Sequence, residues 1–204
     1  MEASPSNKTD MPEVRKQTNW TLYLVMAVCA APMIFSYLTY YLIKPEGRTN
    51  YGELIDPRAY PIPELSSKAL DGKPAALQDL HGKWIMLQVD ESACAQPCVD
   101  KLFYLRQLRL TQGKEMDRIE RVWLITDDAP LDIGLMKQYE GTHFLRVDAK
   151  KLAAWLPVTE GGNMKNHIFM IDPLGNLMMR FPKDPDANKI KKDIGKLLKA
   201  SSIG

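Results

Sequence analysis

Lys83–Leu110 reads KWIMLQVDESACAQPCVDKLFYLRQLRL. Its opening, Trp84–Val89, is a short apolar run with the pattern of a buried strand. Its end repeats apolar side chains at steps of three and four, Val99, Leu102, Phe103, Leu105 and Leu108, as one buried helical face requires. Between the two lie Cys94 and Cys98, two of the three cysteines in the chain. A strand that feeds a helix through a cysteine pair sets both sulfurs at the helix N-terminus, where unpaired N–H groups and the dipole favour thiolate over thiol. Residues four apart share a helical face, so helical periodicity is expected to bring the sulfurs together. Asp90 and Glu91, just before the pair, would act the other way and raise the thiol pKa values.

The chain has 204 residues, enough for one ordinary domain and an additional segment. Twenty-seven basic against 25 acidic residues leave a formal charge of +2, too little to argue for nucleic acid or a strongly acidic partner. Three cysteines do not make a disulfide scaffold, and a domain of this size needs none. Cys94 and Cys98 therefore read as a site, redox or metal.

Residues 1–17 are polar, mixed in charge and without hydrophobic period, and read as a short disordered tail. Glu2, Asp10 and Glu13 argue against a mitochondrial presequence. Residues 18–43 carry no charge, and a helix of that length clears a hydrocarbon core of about 30 Å with some tilt. Trp20 and Tyr23 at one end, and Tyr37, Tyr40 and Tyr41 at the other, suit interfacial belts. Pro32 is tolerable in such a helix. The run is too long for a cleaved signal peptide and continues past Cys29, where a lipoprotein signal would stop. Val28 is also a poor residue before such a cleavage, so Cys29 reads as a packing residue in an uncleaved anchor. Basic residues on the two sides nearly balance, so charge leaves the orientation open. Residues 44–62, rich in Pro, Gly and polar side chains, read as a linker to a domain spanning 63–204.

Within that domain Ala76–Leu80 ends at the turn His81-Gly82, and the Trp84 strand and cysteine helix follow. Arg121–Thr126 reads as a strand, Leu131–Tyr139 as a helix, His143–Val147 as a strand and Lys150–Leu156 as a helix. His167–Ile171 and Leu177–Phe181 flank Asp172-Pro173-Leu174-Gly175-Asn176, whose Pro and Gly fit a hairpin turn. Asp186–Ala200 closes as a helix with Ile190, Ile194, Leu197 and Leu198 on one face. Its lysines on the other face read as solvated. This order is that of an α/β, thioredoxin-like fold: a central mixed sheet flanked by helices.

The spacing Cys-x-x-x-Cys narrows the chemistry. No histidine follows Cys98, which excludes covalent haem attachment of the C-x-x-C-H type. No second pair supplies the four ligands of a zinc finger. Two thiolates with one imidazole suit copper, Cu(I) above all. His81 in a turn and His143 at a strand start read as surface or capping histidines, and Asp127 and Asp128 as solvated loop acids. His167 stands where its strand begins, opposite the cysteine helix in a thioredoxin-like fold, at the junction where thioredoxins hold a cis-proline. Asn166-His167 replaces that proline and offers an imidazole instead.

The chain resembles the Sco/SenC family of membrane-anchored, thioredoxin-like copper proteins that help assemble the dicopper centre of cytochrome c oxidase. The matching features are the single anchor, Cys94 and Cys98 at the family's gap, and His167 in NHIFMIDPLGNLMMRF. ITDDAP at 125–130, followed by LMKQYEG, is also similar. The resemblance implies copper held by Cys94, Cys98 and His167, a copper-receiving oxidase subunit and a thiol reductant as partners, and no requirement for turnover. It also implies a single-pass protein of the bacterial inner membrane with residues 1–17 as a cytoplasmic tail and its C-terminal domain in the periplasm. Two other readings stand beside it. One is a thiol–disulfide oxidoreductase for an oxidase subunit or other exported protein, with Cys94 and Cys98 as its catalytic pair. The other is a scaffold stapled by a Cys94–Cys98 disulfide. A peroxidase is disfavoured because Ser92, not Thr, precedes Cys94 by two residues.

Overall fold

A computed structural model describes residues 19–43, 50–158 and 161–203. The chain divides into two units, within residues 1–48 and 49–204. The first contributes helix α1, Trp20–Leu38, which continues as a π-helical turn over Thr39–Ile43. Residues Trp20–Tyr41 are long and apolar enough to cross a membrane, and none of them is buried. Pro32 sits inside the helix as expected. The tail read over 1–17 lies outside the described residues.

The second unit is built on a seven-stranded mixed sheet in the order β1-β7-β6-β3-β4-β5-β2. Strands β3 (Trp84–Asp90), β4 (Ile119–Ile125) and β5 (Thr142–Arg146) run parallel at its centre. β6 (Ile168–Ile171) lies antiparallel to β3, and β7 (Leu177–Arg180) antiparallel to β6. Six of the seven residues in each of β3 and β4 are buried because both faces are covered. Such strands read as continuous apolar runs, WIMLQV and VWLI, rather than alternating ones.

Alternation still decides which helix each side chain meets. Trp84, Met86, Ile168 and Met170 pack with Leu105 and Leu108 of α2 (Gln96–Leu110) and with Ile190, Ile194 and Leu198 of α5 (Ala187–Ala200). On the same side, Trp123 and Ile125 pack with Cys98 and Leu102 of α2 and with Leu135 of α3 (Ile133–Gln138). Ile85, Leu87, Val89, Phe169 and Ile171 face the other side, where Leu152 and Trp155 of α4 (Ala149–Trp155) cover them. Fully burying each Leu, Ile or Phe contributes about 1.5–3 kcal/mol. Ser, Thr, Asn and Asp favour helix starts, and here Asp132, Asp148 and Asp186 each accept backbone N–H groups at theirs.

Two edge strands were not foreseen. β1 (Glu53–Leu54) pairs with β7, and β2 (Lys68–Ala69) with β5. β1 falls in the stretch read as linker, and the chain continues from it along the hairpin: Ile62 N–H donates to the Gly175 carbonyl and Leu177 N–H to that of Tyr60. Ile55, Tyr60 and Ile62 pack on the core. Residues 44–49, the rest of that stretch, lie outside the described residues.

Candidate functional site

The cysteine pair sits where β3 hands over to α2. Cys98 is the third residue of α2, its N–H bonded to the Ala95 carbonyl at 2.8 Å, and it is 1% exposed. Cys94 lies one residue before the N-cap Ala95, half-buried, with φ at +34°. A side chain rarely takes this left-handed backbone. The two are joined in a disulfide with their Cα atoms 5.1 Å apart. Convergence through a shared helical face is thus corrected: only Cys98 is helical, and the turn at Cys94 brings its sulfur over.

The flanking acids are also placed differently from the reading that set them against the thiols. Asp90 pairs with Lys101 at 2.9 Å and Glu91 with Lys165. Lys101 stands on α2 among the buried residues, 6% exposed, whereas Phe103, which the periodicity assigned to the core, is 50% exposed. The Lys101 ammonium donates to the Asp90 carboxylate, to the Val89 carbonyl at 3.2 Å and to the Lys165 carbonyl. Burial pushes its pKa down, and Asp90 acts against that. One side chain so ties the end of β3, the cysteine helix and the segment that precedes β6.

Gln88 is the other polar group beneath the pair. It is wholly buried, and its Nε2 donates to Cys98 Sγ at 3.7 Å, while its Oε1 has no partner among the described residues. Asp127, read as a solvated loop acid, accepts both the N–H and the hydroxyl of Ser92. Partial burial acts to raise its pKa but is outweighed by those Ser92 bonds and by Arg146, so the carboxyl stays below its ordinary range.

His167 follows a short 3-10 turn, Met164–Asn166, whose start Asn163 caps by accepting the Lys165 N–H. The half-buried ring bonds through Nδ1 to the Phe181 carbonyl at 2.8 Å. A carbonyl can only accept, so Nδ1 carries the hydrogen and the neutral ring keeps its lone pair on Nε2. Burial leads in lowering its pKa. Ile168, the next residue, pairs with Gln88 of β3, and the His167 ring meets Phe169 edge to face with centroids 6.0 Å apart. Among the described residues no group of three His, Cys, Asp or Glu is placed to hold a metal. His143 pairs with Glu120 at 3.2 Å, and His81 packs over Gly175; neither is near the pair.

The family model described as "Transmembrane-like, thioredoxin-like, C-terminal domain" matches residues 84–201. The chain belongs to this family. No curated protein sequence matches it. Among solved structures, copper-bound yeast Sco1 is similar at 16% identity and a TM-score of 0.54, covering 74% of this chain and 90% of that one. Copper-bound ScoI of Arabidopsis thaliana gives 14% and 0.52, with coverages of 74% and 99%. BsSco, described through a disulfide switch and as a member of the Sco family of cytochrome c oxidase assembly proteins, gives 13% and 0.51, with coverages of 73% and 99%. The transmembrane-like, thioredoxin-like domain thus has the Sco fold, and in it the cysteine pair occupies the head of the first helix after the central strand.

Proposed function

We propose that this chain is a membrane-tethered copper-handling assembly factor for the copper centre of cytochrome c oxidase, with copper as its cargo. The observation that carries the reading is the Cys94–Cys98 pair at the head of α2 on a Sco fold. Reduction releases two soft sulfur donors, of which Cys94 reaches solvent and Cys98 stays under Gln88. His167 is the third donor of this reading: its ring is neutral and Nε2 is its free nitrogen. Because the described residues hold no preformed three-ligand group, its entry requires the segment before β6 to rearrange. The apolar helix Trp20–Tyr41 serves as the tether. The domain would stand in the periplasm of a bacterial inner membrane, where a thiol reductant must open the disulfide before loading.

Copper(I) titration of the reduced full-length protein in detergent tests this. Replacing both cysteines (Cys94→Ser with Cys98→Ser) should abolish stoichiometric binding, and His167→Ala should weaken it at least roughly tenfold, the smaller end of what a lost ligand-supporting partner costs. Binding that survives the double replacement overturns the reading. Unchanged affinity in His167→Ala removes the imidazole alone.

A second reading, thiol–disulfide exchange on an oxidase subunit or other exported protein, is favoured by the unequal exposure of the two sulfurs. Reduced Cys94 would attack a partner disulfide, Cys98 would resolve the mixed disulfide, and the partner would leave as a dithiol. Fast stoichiometric reduction of a substrate disulfide without copper binding would select it.

A further inference from the structure

At the end of the sheet away from the cysteines, Arg106 and Arg109 of α2 and Arg121 of β4 border a cavity of about 860 Å³, with Lys137 on its rim. Arg121 is 6% exposed. Its Nη2 donates to the Glu140 carbonyl at 2.7 Å, and its Nε has no acceptor among the described residues. Glu120 and Glu140 also line the cavity, but among the described residues no carboxylate lies within ion-pairing distance of Arg121 or of Arg106, whose guanidinium bonds the Gln138 carbonyl at 3.3 Å. Glu120, the adjacent acid, is taken by His143 at 3.2 Å, and Arg109 is held by exposed Asp117.

A buried guanidinium stays charged and is costly unless an anion faces it. Here the reverse holds: burial and then the charges of Arg109 and Arg106 act against the charge on Arg121. The backbone is nonetheless built around it. Gly141 takes φ +77°, and a Cβ there would meet Arg121 Nη2 at 2.9 Å, so glycine lets the Glu140 carbonyl hold the guanidinium toward the cavity.

We infer that this cavity is a binding site for a phosphate-type oxyanion, with Arg121 at its floor and Arg106 and Lys137 at its mouth. Guanidinium forks match the oxygen pairs of phosphate, and several cations at one opening favour a multiply charged anion over a single carboxylate. The cavity is far larger than one phosphate, which suits a phosphate carried on a larger molecule. The inference is independent of the copper reading, since none of these residues touches the cysteine pair.

The test uses full-length protein in neutral detergent, at constant ionic strength, with thermal unfolding as the readout. One arm adds inorganic phosphate; the other dopes the micelles with phosphatidylglycerol against phosphatidylcholine. A saturable rise in Tm is expected, with an apparent affinity roughly tenfold weaker in Arg106→Gln, as loss of one charge-assisted bond predicts. Arg121→Met should lose the rise altogether; if that variant does not fold, Arg106→Gln decides. A rise with both ligands assigns a general phosphate site, and a rise with phosphatidylglycerol alone a lipid headgroup site. No saturable rise in either arm, or one that the arginine replacements leave unchanged, overturns the proposal.

Discussion

The carboxamide of Gln88 donates to Sγ of Cys98 across 3.7 Å, from the middle of the sheet to the first turn of α2. When the disulfide opens, the same N–H faces a buried sulfur and stabilises it as thiolate. Gln88→Met keeps the volume and removes the donor. Because Gln88 Oε1 is already without a partner among the described residues, the oxidised protein should lose less than about 1 kcal/mol. The reduced protein should show slower alkylation of Cys98 at a given pH, its profile displaced to higher pH. Alkylation rates read by mass spectrometry check this; an unmoved profile would dismiss the hydrogen bond.

Lys101 makes a sharper stability prediction. Its ammonium meets Asp90 at 2.9 Å, with side-chain exposures of 8% and 18%. Lys101→Met leaves that carboxylate and two carbonyls without their donor, so urea denaturation should report a loss of about 3–5 kcal/mol. Replacing Asp90 as well (Asp90→Leu in the same chain) should restore part of it, since no uncompensated charge then remains. A loss below about 1 kcal/mol for Lys101→Met would mean that solvent serves as well as the lysine.

That lysine also marks how far the sequence could be read. β3, the hairpin and the α5 face were legible because each carries its own period or turn chemistry: WIMLQV, DPLGN, and Ile190 with Ile194. α2 was less so. A lysine inside a helix looks solvated, and only the end of β3 and the Lys165 carbonyl explain why Lys101 turns inward while Phe103 stays out. Two-residue edge strands such as Glu53–Leu54 have no period at all. The two sulfurs were legible as a site and as a possible pair, but not the route by which they meet, since it depends on the backbone of Cys94 rather than on helical spacing. The imidazole was found from its place before the strand. The bond of its Nδ1 to the Phe181 carbonyl, fourteen residues on, is one that no local pattern announces.

The hairpin offers a coupling test. Gly175 takes φ +85°, and a Cβ there would run into the His81 ring. Gly175→Ala should therefore lose roughly 2–4 kcal/mol, about 1 of it from the backbone and the rest from the clash. Adding His81→Ala should recover the clash component, giving a coupling of at least about 1 kcal/mol in a double-mutant cycle. Strict additivity would show that the ring moves aside freely.

His167 predicts how stability depends on pH. Its folded pKa lies below the ordinary 6.5, with burial the leading cause; Arg180 and Lys101 add to the depression, while the Phe181 bond and Glu53 oppose it. The unfolded chain therefore takes up the proton first as pH falls. Stability from the neutral ring is complete above 6.5 and is lost as pH drops through the depressed folded value. Asp127 and Glu115 are depressed as well, but from 3.8 and 4.5, so their losses come at more acidic pH. Urea denaturation between pH 7 and 5 should show stability declining in the wild type, and His167→Asn should remove that component while retaining a donor toward the Phe181 carbonyl. The same protonation occupies Nε2, so His167-dependent copper uptake should weaken over the same interval. If His167→Asn leaves the slope untouched, the ring is solvated in the folded protein and is not held neutral for a metal.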